Sequence, residues 1–201
     1  MSKNQVLVIE SSMIKSDSSF SRELCRAFVD CYRSEYLLDE IIYLDLNEIT
    51  MAQKTLNSKN FATFFNESDS DFYINQLKSA YKLIISTPMT NFNYPATLKN
   101  YLDHILVADK TFSYKYSKCG GSIGLLTNLK VQILATQGAP IGWYEWGNHI
   151  QMLVGTWRFV GAKVYDPLVL DGTKVFYKNC KPVEVVKNME DKIKMSVKQF
   201  K

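Results

Sequence analysis

Residues 82–106 read KLIISTPMTNFNYPATLKNYLDHIL, and this stretch decides the fold. Leu83, Ile84 and Ile85 are apolar in succession, so the strand they form is buried on both faces. Such a strand belongs in the middle of a parallel sheet. Pro88 ends the ladder because it has no N–H to donate. After Pro95 the spacing turns helical, with Leu98, Tyr101, Leu102 and Ile105 at i, i+3, i+4 and i+7. Pro95 suits the first turn of that helix, where its missing N–H costs nothing. Between strand and helix lie Met89, Thr90, Asn91, Phe92, Asn93 and Tyr94. This loop leaves the carboxyl end of a central strand, where open α/β sheets bind ligands. It offers backbone N–H groups, two amides and two aromatic faces but no charge, and so suits a flat heteroaromatic ring better than an ion.

The flanking sequence supplies the rest of an alternating pattern. Upstream, residues 5–9 (QVLVI) read as a buried first strand, and a serine-rich loop over 10–21 leads into a helix over 20–36. A helix N-terminus has unpaired N–H groups and the positive end of the dipole, so Ser19 and Ser21 fit either a phosphate site or a plain N-cap loop. No G-x-G-x-x-G and no P-loop lysine occurs there. A second strand is expected over 41–46, an irregular polar connection over 47–70 with a short helix near 61–65, and a helix over 71–81. Downstream, Phe112, Tyr114 and Tyr116 alternate as in an extended arm, and residues 130–135 (KVQILA) form a fourth strand. Thr136, Gln137, Gly138 and Ala139 then leave that strand's carboxyl end, with Gly138 allowing close backbone approach. Residues 141–147 (IGWYEWG) are either a hydrophobic lid or a loop anchored by its tryptophans. A helix over 148–160, a fifth strand over 163–170, a turn at Asp171 and Gly172, and a helix over 181–200 complete the chain. The order predicts a five-stranded parallel doubly wound α/β sheet with helices on both faces, in one domain spanning 1–201.

Composition narrows the function classes. With 201 residues, 46% hydrophobic and 22% charged, the chain buries a core without disulfides. A net charge of +4 with dispersed lysines leaves no nucleic-acid footprint. Cys25, Cys31, Cys119 and Cys180 form no C-x-x-C pair, and two histidines leave little for a metal site. The opening residues lead directly into a strand, and no apolar run is long enough to span a bilayer. A cytoplasmic protein without a membrane partner is expected.

The segment PMTNFNYPATLKNYLDHI resembles the flavodoxin-like FMN-dependent NADH-azoreductases, which typically show P-M-Y-N-F-x-x-P/S-x-x-L-K-x-Y-x-D. The similarity runs from the first strand to about Leu170. It implies noncovalent FMN, a homodimer with sites at the interface, and hydride passing by a ping-pong mechanism from NADH or NADPH through the flavin to a quinone or azo compound. By the same resemblance Ser12 is the first flavin-contacting serine, and Ser19, Phe20 and Ser21 match a phosphate-binding S-x-S segment. Met89, Thr90, Asn91 and Phe92 match the loop holding the isoalloxazine, with Asn91 a supporting contact. Thr136, Gln137, Gly138 and Ala139 match a segment that is often S-R-G-G. Tyr114 and Phe159 fall where the family places aromatics over the flavin from across the dimer. Three departures lie on the acceptor side. Thr90 replaces a tyrosine and removes an aromatic wall, Gln137 replaces an arginine and removes a fixed charge, and Ala139 replaces a glycine.

Other readings make different demands. Gly120, Gly121, Ser122, Ile123 and Gly124 match G-x-S-x-G, and Glu145 and His149 follow in the order acid, base. A serine hydrolase or phosphodiesterase using Ser122 needs a strand before that serine and a helix after it. A flavodoxin-like electron carrier would bind the same flavin but is usually acidic, unlike this chain. A pure binding module would bind no flavin at all.

Overall fold

The computed structural model of the protein describes residues 4–15, 17–115 and 121–201. In chain order its elements are β1 (Gln5–Glu10), α1 (Phe20–Glu35), β2 (Glu40–Asp45), α2 (Phe61–Phe64), α3 (Phe72–Ser79), β3 (Lys82–Pro88), α4 (Ala96–Ile105), β4 (Phe112–Ser113), β5 (Ile123–Gly124), β6 (Lys130–Thr136), α5 (His149–Phe159), β7 (Lys163–Val164), β8 (Leu168–Leu170), α6 (Pro182–Lys187) and α7 (Glu190–Gln199). A 3₁₀ turn, Met51–Gln53, and a π turn, Glu67–Asp71, lie in the irregular connection before α3.

The main sheet runs β2-β1-β3-β6, all parallel, with β7 and β8 paired to opposite ends of β6. It therefore has five strand positions, the fifth filled by two pieces. The expected continuous strand over 163–170 is broken between Val164 and Leu168. There Pro167 has no N–H, and the Asp166 carbonyl accepts from the Gln132 side chain (2.9 Å) rather than from the ladder. The helix expected over 181–200 is likewise two helices, α6 and α7.

Alternation along the strands sorts the core into two layers. Leu7, Ile9, Leu83, Ile85, Val131 and Ile133 face α3, α4 and α5, meeting Leu77, Tyr101, Leu102, Leu153 and Trp157. Val6, Val8, Ile84 and Leu134 face α1, α6 and α7, meeting Leu24, Phe28, Tyr32, Val186, Val197 and Phe200. The sheet is thus covered on both faces, and its strand order reverses between β1 and β3. That reversal opens a crevice at the carboxyl ends of β1, β3 and β6.

Beyond α4, β4 and β5 form a small antiparallel pair. Tyr116, Cys119 and Gly120 lie outside the described residues. Among the described residues, no helix is long and apolar enough to cross a membrane.

Candidate active site

The serine loop closes one end of the crevice. The Ser11 N–H and hydroxyl both donate to the Ser86 carbonyl (3.1 and 3.2 Å), and the Ser86 hydroxyl donates to the Ser21 carbonyl (2.9 Å). These bonds tie the loop and the start of α1 to the end of β3. Ser19 is the N-cap, its hydroxyl accepting from the Arg22 N–H at 3.3 Å. The Ser19 hydroxyl lies 3.0 Å from that of Ser12 and 3.2 Å from that of Ser21, and all three serines are buried. Three hydroxyls therefore converge on the N-terminus of a 16-residue helix, beside first-turn N–H groups that have no i−4 acceptor. Arg22 braces this end from behind. It donates to the Ile14 carbonyl (2.9 Å), to Asp45 (2.6 Å) and to Glu10 (3.3 Å). Burial raises the Glu10 carboxyl pKa, with Arg22 opposing. At Asp45 burial also pushes upward, but hydrogen bonds from Arg22 and Asn47 outweigh it and leave the pKa below the usual carboxylate value.

The loop after β3 forms the middle of the crevice. Met89 N–H donates to the Thr136 carbonyl (2.7 Å). Thr90 and Asn93 exchange backbone bonds at 2.6 and 3.0 Å, and Asn91 and Phe92 between them have φ of 47° and 70°. Two successive positive φ values inside such a pair define a type I′ turn. Asparagine tolerates this conformation, whereas phenylalanine holds it at a cost of about 1–3 kcal/mol. The Asn91 and Phe92 N–H groups have no acceptor among the described residues. The Asn93 side chain accepts from the Tyr94 N–H at 2.8 Å, ahead of Pro95. The Phe92 ring meets Tyr144 and Trp146 edge-on, at 5.0 and 5.8 Å between centroids. Trp143 and Trp146 are 59% and 67% exposed, so the tryptophans do not anchor residues 141–147 in the core. The segment lies against Phe92 as an aromatic flap.

The third wall comes from the loop after β6. Residues 172–174 lie against it: Gly172, Thr173 and Lys174 donate their N–H groups to the carbonyls of Ala139 (3.1 Å), Gln137 (3.1 Å) and Gly138 (2.9 Å). Gln137 turns its amide back onto the Ala139 carbonyl (2.9 Å). A Cβ on Gly138 would fall 2.9 Å from the Lys174 Cδ, so the glycine seats the lysine stem.

Together these walls enclose a cavity of about 550 Å³, within the range of small-molecule sites. Ser12, Ser19, Phe20, Ser21, Met89, Thr90, Asn91, Thr136, Gln137 and Gly138 line it, while Phe92 and Ala139 line an adjoining pocket of about 250 Å³. Among the described residues, no carboxylate lines the larger cavity. Sequence reasoning missed Met13, Ile14, Ser18, Pro88, Thr173, Lys174 and Lys178, which complete its lining. Only the turn at Gly172 hinted at the last three, since a turn brings chain back across a strand end. Tyr114 and Phe159 line neither pocket. They join Phe112 in an aromatic patch, with centroids 5.5 and 4.9 Å from its ring, and are exposed.

The model of a family with a flavodoxin-like fold matches residues 4–193. The chain belongs to this flavodoxin-like family. An "FMN-dependent NADH:quinone oxidoreductase" of Malacoplasma penetrans (strain HF-2) is 56% identical over 197 residues, covering 98% of this chain and 93% of its own. The protein of the same name from Mycoplasma mobile (strain ATCC 43663 / 163K / NCTC 11711) is 53% identical over 206 residues, covering 100% of both chains. Among solved structures, an FMN-dependent NADH-azoreductase from Bacillus anthracis str. Ames Ancestor in complex with FMN superposes with a TM-score of 0.79 at 22% identity, over 98% of this chain and 99% of that one. An azoreductase from Bacillus anthracis str. Sterne gives a TM-score of 0.81 at 21% identity, over 98% and 100%. At those identities the likeness is one of fold.

The flavodoxin-like architecture leaves no place for the hydrolase reading. Ser122 precedes the two-residue strand β5 and is followed by no helix, so it forms no nucleophile elbow. His149 is buried, and neither of its ring nitrogens meets Ser122 or Glu145. Burial holds its pKa below the ordinary value.

Proposed function

We propose that this flavodoxin-like protein binds FMN noncovalently and transfers two electrons from NADH, or NADPH, to quinones, with reductive cleavage of azo compounds as a second activity. The observation that carries the reading is the carboxylate-free cavity at the β1/β3 crevice, closed at one end by three buried hydroxyls on a helix N-terminus. A dianionic phosphate joined to a flat, largely uncharged ring fits that distribution of groups. The names of relatives that align along nearly the whole chain support the same reading.

In this reading Ser12, Ser19, Ser21 and the N–H groups opening α1 hold the phosphate. The free N–H groups of Asn91 and Phe92 meet the ring's polar edge, with the Asn91 amide in support. Their fixed orientation in the type I′ turn lets them stabilise negative charge there without reorganising. Thr136, Gln137, Gly138 and Ala139 bound the ring from the β6 side, and the flap bearing Trp143, Tyr144 and Trp146 excludes water. Bound FMN supplies the redox chemistry, so no side-chain nucleophile is required. Donor and acceptor share the space beneath the flap and use it in turn, which makes the kinetics ping-pong. The exposed rings of Tyr114 and Phe159, joined by the half-buried Phe112, suit a homodimer in which each copy covers the other's cavity. The free thiols of Cys25, Cys31 and Cys180 fit a cytoplasmic setting.

The test is a spectrum of purified protein with added FMN. A perturbed flavin spectrum that bleaches under anaerobic NADH and recovers on adding a quinone is the expected result. Failure to bind FMN would end the proposal.

A further inference from the structure

Between the main cavity and the aromatic flap lies the smaller pocket, and the two share Met89, Asn91, Gly138 and Lys174 in their linings. Of these four, Lys174 carries the charge. Its backbone is fixed by the 2.9 Å bond to the Gly138 carbonyl, and its stem lies in the space that a side chain at 138 would fill. Met89, Phe92, Ala139, Trp143, Tyr144 and Val175 give the small pocket apolar and aromatic walls, with Asn91 and Gly138 beside them. Among the described residues, Lys174 is its only charged lining residue. The lysine has no ion-pair partner among the described residues. Gln137, the nearby polar side chain, has its amide committed to the Ala139 carbonyl.

An unpaired ammonium at the edge of an aromatic slot recognises one chemical class well. The walls take a flat ring by stacking, and the ammonium takes an anionic substituent on it. A neutral ring gains only the stacking. We propose that Lys174 is a specificity-determining residue, selecting flat aromatic acceptors that carry a sulfonate or carboxylate over neutral ones of the same shape. This rests on the oxidoreductase reading for the word acceptor, but the binding preference itself does not depend on turnover.

The experiment compares two non-reducible probes, 2-naphthalenesulfonate and 2-naphthol, titrated calorimetrically into the FMN-loaded protein. Wild type is expected to prefer the sulfonate. Lys174→Met is expected to weaken the sulfonate about tenfold relative to naphthol, a typical size for a charge-assisted contact. Lys174→Arg should keep the preference, and added salt should reduce it. With a sulfonated and an unsubstituted naphthoquinone as acceptors, the ratio of their kcat/KM values should fall in Lys174→Met by a similar factor. Equal binding of both probes by wild type overturns the proposal, as does an unchanged ratio in Lys174→Met. So does a Lys174→Met protein that loses FMN instead, because the lysine then serves the cofactor. If wild type reduces neither quinone, the oxidoreductase reading falls, while the probe ratio still decides the role of Lys174.

Discussion

Ser21 shows what a single hydroxyl does in this site. It is buried, it meets the Ser19 hydroxyl at 3.2 Å, and its own carbonyl accepts from Ser86 at 2.9 Å. The carbonyl bond is made by the backbone and survives Ser21→Ala, so the substitution removes a donor without releasing the loop. Loss of one hydrogen bond to a charged phosphate costs about 1.5–3 kcal/mol, so FMN affinity is expected to fall about tenfold or more, read by flavin fluorescence titration. An unchanged affinity would place the phosphate elsewhere. From the residues alone the serines fit either a phosphate site or a plain N-cap loop, since hydroxyls before a helix commonly cap it. The family resemblance points to the phosphate, and the structure shows that Ser19 is the N-cap as well. Lys174 was not legible in the sequence, because nothing in its local pattern says that residues 172–174 cross over Gly138.

At the level of elements, the β4–β5 pair is fixed to the end of α5 by two glycines. A Cβ on Gly124 would fall 2.0 Å from the Gly161 nitrogen, and Gly161 has φ of 93°. Beside this contact the Leu126 N–H donates to the Val160 carbonyl at 2.8 Å. Only bare backbone allows such an approach, and it sets Phe112 against Phe159. Gly124→Ala forces two backbones apart and is expected to destabilise the protein by about 1–3 kcal/mol. The check is a urea melt, and a change below 0.5 kcal/mol, the ordinary range for surface substitutions, would show that the contact yields. Helix and strand existence was readable from apolar period, but the breaks in the fifth strand and the last helix were not. Pro167 was visible in the sequence, yet the capture of the Asp166 carbonyl by Gln132 requires knowing that β6 lies alongside.

The whole molecule has a second buried polar centre, at the opposite end of the sheet from the cavity. Lys82 opens β3 and is only 2% exposed. Its ammonium donates to the Tyr32 hydroxyl (2.8 Å), which in turn donates to Asp39, and it lies 3.9 Å from the Tyr36 ring and 5.2 Å from that of Phe200. Desolvation lowers its pKa to about 8, with Asp39 opposing. A lysine depressed in the folded state binds its proton less tightly there than when unfolded, so stability rises with pH between about 8 and the unfolded value of 10.5. Against Lys82→Met, wild type is expected to gain up to about 2 kcal/mol between pH 7 and 9.5, measured by urea unfolding at both pH values. Parallel curves for the two proteins would show that Lys82 does not titrate in this range. Above about pH 10 the absolute stability of both proteins should fall with pH, because burial raises the Tyr32 and Tyr101 pKa values and only the unfolded tyrosines ionise. The sequence by itself determined the doubly wound sheet, its two apolar layers and the loops at the strand ends, because side-chain period and chain punctuation are local properties. Tertiary structure alone decided which polar groups face one another: the Ser12–Ser19–Ser21 cluster, the Lys174 stem on Gly138, and the ring cage around Lys82. Each depends on contacts between segments far apart in the chain, where a polar side chain's role is set by desolvation and by the partners that burial brings to it.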